Sequence, residues 1–124
     1  MKQTLLFGAI SALTGILLGA FGAHALKNVL QPEYLSIYQT GITYQMWHAL
    51  GLLLLALLQQ QDPLSKLLKW SVYLMMMGII LFSGSLYLLV GLDQRWLGMI
   101  TPLGGVSFIA AWGLLATYAI KLES

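Results

Sequence analysis

The chain has 124 residues, of which 59% are hydrophobic and only 8% are charged, with a net charge of +2 and no cysteine. Soluble domains carry about 25% charged residues, so this composition excludes an ordinary soluble fold. The lack of cysteine excludes disulfides and thiolate metal sites. The few basic residues form no cluster, so no nucleic-acid partner is expected.

Charged residues divide the chain into four long apolar stretches, residues 3–26, 34–61, 70–92 and 96–120. Each stretch exceeds the roughly 20 residues that a helix needs to cross a ~30 Å hydrocarbon core. The pattern predicts a single all-α transmembrane domain, a compact four-helix bundle with short loops. We place its helices at approximately residues 4–25, 32–58, 66–90 and 97–120.

The first helix is rich in small residues. Ser11, Gly15, Gly19 and Ala23 are spaced by four and therefore lie on one face, and Gly22 lies nearby. Such spacing lets helix backbones approach closely in lipid. The face is expected to pack either within the chain or between subunits.

The connection after the first helix is predicted to lie at the outer membrane surface. His24 ends the first helix, where the helix dipole favours a cationic imidazole that bonds loop carbonyls. Tyr34 begins the second helix at the level that tyrosines favour. Lys27 and Glu33 are positioned to pair across this connection, although an exposed pair contributes little.

The second helix carries a polar stripe. Tyr34, Tyr38, Gly41, Gln45 and His48 follow steps of four and three, and Tyr44 borders the same face. His48 lies ~15 Å from the end of the helix near residue 58, about the membrane midplane. Polar groups facing lipid would be stranded, so the stripe is expected to face the bundle interior.

The remaining helices supply partners for this stripe. Depth counting places Thr14 and Gly15 opposite His48, and places Ser83 and Ser85 nearer Gln45. In the third helix, Ser71, Gly78 and Ser85 are spaced by seven and predict a small-residue seam. Pro102, Gly104 and Gly105 lie near the start of the fourth helix, where an irregular turn is expected.

Cationic residues predict the orientation of the chain. With four crossings, Lys2, Lys66, Lys69 and Lys121 share one side, whereas Lys27 and Arg95 lie on the other. The excess of positive charge favours cytoplasmic N- and C-termini.

No catalytic or metal motif is evident. The two histidines lie at depths that differ by roughly 15 Å, and no acidic residue is near the midplane to complete a metal site. We therefore predict no metal and no cofactor.

Four blocks stand out along the chain, at residues 19–27, 44–50, 82–87 and 100–105. In this order they resemble the family called domain of unknown function 423, the YgdD-like small inner-membrane proteins of bacteria. The resemblance implies a multi-pass protein of the bacterial inner membrane and implies no activity. It draws attention to these residues: His24, Gln45, His48, Ser83, Ser85, Tyr87, Thr101, Pro102 and Gly105.

Three hypotheses of function follow. The first is a non-enzymatic, homo-oligomeric membrane protein whose polar outer half binds a small ligand, a lipid or a partner helix. Its candidate residues are Tyr38, Tyr44, Gln45, His48, Ser83, Ser85 and Thr101, with packing glycines at Gly15, Gly19, Gly22, Gly78 and Gly105.

The second hypothesis is a transporter or channel subunit with a wet cavity centred on His48. The third is a lipid-acting enzyme that uses His24 with Tyr34 or Thr101. The protein partners are not predicted.

Overall fold

The computed structural model describes residues 1–122 as helices joined by short connections, and no strand occurs among these residues. Four helices within this range are long and apolar enough to cross a membrane. They are α1 (Lys2–Leu26), α2 (Pro32–Gln61), α3 (Lys66–Leu92) and α4 (Arg95–Leu122). The predicted all-α membrane fold is confirmed, and each helix extends somewhat beyond the range expected from the sequence.

Three of the helices contain turns that are not regular α-helix. A π-helical turn, Gly22–Leu26, ends α1, and a second, Ile79–Ser83, interrupts α3. A 3₁₀ turn, Arg95–Met99, opens α4 before its regular part begins at Thr101. The irregular start expected for the fourth helix therefore precedes Pro102, which lies in the first α-helical turn, where its missing N–H is tolerated.

Helices that are consecutive in the chain pack side by side, with α1 on α2, α2 on α3 and α3 on α4. A larger share of α2 and α3 is buried than of α1 and α4, so the middle pair forms the centre of the bundle. The apolar core includes Leu52, Leu55, Leu68 and Met75, all fully buried. The outward face of α1 is aliphatic and exposed, as expected for a surface in contact with lipid.

Most of the predicted packing glycines are in tight contacts within the chain. A Cβ on Gly15, Gly22 or Gly78 would lie within 2.5 Å of Met46, Tyr38 or Phe108 respectively. Gly19 and Gly105 are looser, with nearest neighbours at 3.7 Å and 3.9 Å. Gly15, Gly22 and Gly78 thus pack inside the monomer and do not argue for a second copy; homo-oligomerisation stays a prediction.

The Lys27–Glu33 pair expected from the sequence is wrong. Glu33 instead forms a salt bridge with Arg95, whose guanidinium nitrogen lies 3.1 Å from the Glu33 carboxylate oxygen. The Tyr34 hydroxyl donates to Asp93, whose backbone has a left-handed φ of 54° at the end of α3. These two contacts hold the α3–α4 turn against the start of α2.

Candidate ligand-binding groove

Gln45 connects α2 to both α1 and α3. Its side-chain N–H groups donate to the Ser11 carbonyl at 2.8 Å and to the Thr14 hydroxyl at 2.9 Å. Its carbonyl oxygen accepts from the Tyr87 hydroxyl at 2.6 Å. Gln45 is buried and has partners on both ends of its amide, so this part of the polar stripe binds helices together.

Ser83, Ser85 and Tyr38 of the predicted polar set also have protein partners. Ser83 donates to the Gly41 carbonyl at 2.6 Å, and Ser85 lies 2.6 Å from the Thr101 hydroxyl. The Tyr38 hydroxyl donates to the Leu18 carbonyl. Among residues 1–122, no buried side-chain nitrogen or oxygen lacks a hydrogen-bond partner.

His48 faces α4, away from the Gln45 network. Its Nε2 atom accepts from the Trp112 indole N–H at 2.9 Å, and its Nδ1 atom lies 2.7 Å from the Tyr44 carbonyl. A carbonyl only accepts and an indole N–H only donates, so His48 is the neutral tautomer with its proton on Nδ1. Its ring also stacks on Phe108, with centroids 3.5 Å apart.

The depth comparison with α1 was wrong by about one turn. Thr14 and Gly15 lie against Gln45 rather than His48, since Thr14 bonds the Gln45 amide and a Gly15 Cβ would lie 3.4 Å from it. Counting residues ignores the relative shift of two packed helices. The stripe on α2 therefore serves two separate neighbours.

A groove separates α2 from α4 in the middle of the bundle. It has a volume of about 710 Å³ and is lined by Tyr44, Trp47, His48, Leu50, Phe82, Gly105, Phe108, Ile109 and Trp112. Trp47, Leu50 and Ile109 are exposed at its rim, so the groove opens sideways toward the membrane. Aromatic and aliphatic walls with few polar groups are typical of sites for hydrophobic ligands.

The groove lies at the centre of the membrane-spanning helices. Trp47 is at the middle of α2 (Pro32–Gln61), and Phe108 is at the middle of α4 (Arg95–Leu122). The helical rise of 1.5 Å per residue places both within about 5 Å of the midpoint of their helices. The groove is therefore at the depth of the lipid tails.

Packing between α3 and α4 shapes this groove. Gly104 is buried against the π turn of α3, where its added Cβ would lie 2.4 Å from the backbone nitrogen of Phe82. This close approach brings the Phe82 ring to 4.4 Å from Tyr44 and 5.6 Å from Phe108. The next residue, Gly105, lines the groove and has no side chain to fill it.

Two polar groups at the groove lack protein partners. Neither the Tyr44 hydroxyl nor the Trp47 indole N–H makes a hydrogen bond with any residue in the range 1–122. The threonines of the membrane segments all have partners. Thr4 and Thr101 bond side chains of other helices, Gln59 and Ser85. The others donate to a carbonyl of their own helix: Thr14, Thr40, Thr43 and Thr117.

The predicted outer-interface residues lie elsewhere. His24 is exposed in the π turn of α1, and its side chain makes none of the expected bonds to loop carbonyls within the described chain. Tyr34 bonds Asp93, and Thr101 bonds Ser85. These contacts do not join His24 to Tyr34 or Thr101. Across residues 1–122, no group of three or more His, Cys, Asp or Glu is placed to hold a metal.

Sequence reasoning missed the α4 wall and two of the aromatic residues facing it. Phe108 and Trp112 are four residues apart and therefore share one helix face, a spacing that indicates an aromatic surface on α4. Aromatic residues in an apolar helix are equally typical of a lipid-facing surface, so the spacing alone did not select them. Trp47 and Phe82 were missed for the same reason.

The fold is that of a multi-pass membrane protein with four helices, and its groove faces the lipid at mid-depth. A family model described as "Protein of unknown function (DUF423)" matches residues 18–105. The chain belongs to this family, which confirms the resemblance of its sequence blocks.

Curated relatives cover nearly the whole chain. The UPF0382 membrane protein YwdK of Bacillus subtilis is 46% identical over 123 residues, 98% of each chain. The UPF0382 membrane protein SSP2132 of Staphylococcus saprophyticus is 41% identical, covering 98% of this chain and all of its own. The UPF0382 inner membrane protein YgdD of Escherichia coli K12 is 42% identical, covering 96% of this chain and 90% of its own. These names state a membrane location and no activity, and no solved structure matches the chain.

Proposed function

We propose that this protein is a non-enzymatic membrane protein that binds a hydrophobic molecule from the bilayer in the groove between α2 and α4. One observation carries the proposal: a groove of about 710 Å³ with aromatic walls opens to the membrane at mid-depth. Ligand sites typically have volumes of about 300–1,000 Å³ and mostly apolar walls.

This proposal moves the site from the Gln45 network to the groove. Gln45, Ser83 and Ser85 use their polar atoms to join helices, which favours a structural role over a water-filled path. His48 and Tyr44, from the same predicted set, remain at the site because both line the groove.

A single substitution can test the groove without disturbing the helix contacts. In Gly105→Leu, the new Cβ would meet only the Phe82 ring at 3.9 Å, an ordinary contact, and the rest of the side chain would occupy the groove. Gly113→Leu is the matched control on the same helix, since a Cβ there has no neighbour within 4 Å.

The experiment is photolabelling of the purified full-length protein in detergent with an alkane that carries a diazirine. We expect saturable labelling of peptides from α2 and α4 in the parent chain and in Gly113→Leu, and its loss in Gly105→Leu. Circular dichroism of each variant verifies that the helices remain folded. Equal labelling of all three proteins would contradict the proposal.

A further inference from the structure

The two unpartnered donors at the groove restrict its ligand. Tyr44 and Trp47 lie three residues apart on α2, so their side chains are neighbours on the helix surface. Their rings are in edge-to-face contact, with centroids 5.1 Å apart. Both residues also line the groove, near the middle of α2 and therefore near the centre of the membrane.

An unpaired donor at this depth is costly, because hydrocarbon offers no acceptor. Trp70 and Trp96 provide the contrast within the chain. Both lie near helix ends, beside Lys69 and Arg95, at the level where a tryptophan N–H meets water. Trp47, at the middle of α2, has no such access.

The depth and the uncharged lining of the groove disfavour two ligand classes, phospholipid headgroup regions and charged molecules. The ester carbonyls of a phospholipid lie at the edges of the ~30 Å core, so only its methylene groups reach the groove. A charged ligand is disfavoured because no charged residue lines the groove and an ion at the bilayer centre is expensive. The acceptor must belong to a neutral molecule that dissolves in the hydrocarbon core.

We infer that the groove binds a neutral, carbonyl-bearing isoprenoid-type lipid, with a prenylated quinone as the chemical class. A quinone has two carbonyl oxygens, each of which can accept a hydrogen bond from the Tyr44 hydroxyl or the Trp47 indole N–H. Tyr44, Phe82 and Phe108 are in contact with one another and form one aromatic wall, against which the flat quinone ring packs while its tail leaves through the open side. This inference rests on the proposed function and specifies its ligand.

The test uses the intrinsic fluorescence of the groove tryptophans. In the full-length chain carrying Trp70→Phe and Trp96→Phe, the remaining indoles, Trp47 and Trp112, both line the groove. Decylubiquinone is titrated into the protein in nanodiscs, and binding is read as saturable quenching. In parallel, n-decylbenzene, which has a ring and a chain but no oxygen, is used to compete with the quinone.

Tyr44→Phe removes the hydroxyl and keeps the ring. We expect it to weaken quinone binding about fivefold, the effect of one hydrogen bond, and to leave competition by decylbenzene unchanged. Tyr73→Phe is the matched control, since Tyr73 is exposed on α3 and lies outside the groove. It should bind quinone like the parent.

The outcomes separate the two proposals. If decylbenzene binds as tightly as the quinone and Tyr44→Phe has no effect, the carbonyl inference is overturned while the hydrophobic groove stands. If the quinone shows no saturable quenching, the quinone inference is overturned, and equal diazirine labelling of the parent and Gly105→Leu would overturn the proposed function as well.

Discussion

Gln45 links three helices by hydrogen bonds. Its amide bonds the Ser11 carbonyl and the Thr14 hydroxyl of α1, and it accepts from Tyr87 of α3. Interhelical hydrogen bonds in membranes contribute about 0.6 kcal/mol each, so the three together amount to about 2 kcal/mol.

We predict that Gln45→Leu lowers the free energy of unfolding by about 2 kcal/mol, because three bonds are lost and the Tyr87 hydroxyl is left unpaired. Gln39→Leu is the control on the same helix, since that side chain is exposed and makes no hydrogen bond within residues 1–122. Its effect should stay within about 0.5 kcal/mol. Reversible denaturant titration in mixed micelles measures the free energy of unfolding of both variants. Equal decreases in the two would contradict a helix-linking role of Gln45.

His48 shows how burial and hydrogen bonding limit the chemistry of a residue. Both ring nitrogens are engaged, one with Trp112 and one with the Tyr44 carbonyl. An added proton on Nε2 would oppose the Trp112 N–H and remove that bond. The same engagement leaves no free lone pair for a metal. His48 is thus better placed to hold the groove wall than to carry a proton.

At the scale of elements, the contact between α3 and α4 decides the shape of the site. Gly104 lets α4 approach the backbone of the π turn in α3, and Gly105 beside it leaves the groove open. Neighbouring glycines thus have different consequences: one permits helix packing and the other preserves empty volume.

We predict that Gly104→Ala destabilises the protein by about 2 kcal/mol, because its methyl group would lie 2.4 Å from the Phe82 nitrogen and backbone must shift. Gly113→Ala, with open space around its Cβ, should be neutral or stabilising by up to about 1 kcal/mol, as alanine favours a helix over glycine. Thermal unfolding followed by circular dichroism in detergent compares the two. Similar midpoints for both variants would show that α3 and α4 are not in such close contact.

At the scale of the whole molecule, four crossings predict that both chain ends lie on one side of the membrane. Four of the six cationic residues, Lys2, Lys66, Lys69 and Lys121, are on that side. The positive-inside rule therefore predicts cytoplasmic termini.

Single cysteines can test this orientation directly, since the chain has none of its own. Asn28→Cys lies in the α1–α2 connection, and Leu64→Cys lies at the highly exposed α2–α3 connection. In intact spheroplasts, an impermeant maleimide should label Asn28→Cys at once and Leu64→Cys only after permeabilisation. The reverse pattern would overturn the predicted orientation.

The number, order and approximate depth of the helices followed from the sequence alone. Hydrophobicity and charge are local properties, and a span needs only its own residues to satisfy its backbone in lipid. The polar face of α2 could be predicted for the same reason, because all the residues of its helical period lie in one continuous segment. Gln45 and His48 were therefore predicted to be interior before any neighbour was known.

Tertiary structure alone decided which neighbour each polar residue meets. Gln45 and His48 are about 60° apart around α2, and that angle suffices for one to face α1 and α3 while the other faces α4. The groove likewise arises because α2 and α4 meet through aromatic side chains rather than close backbone contact. Lateral order, rotation and axial shift of helices depend on contacts between distant residues, which no local pattern contains.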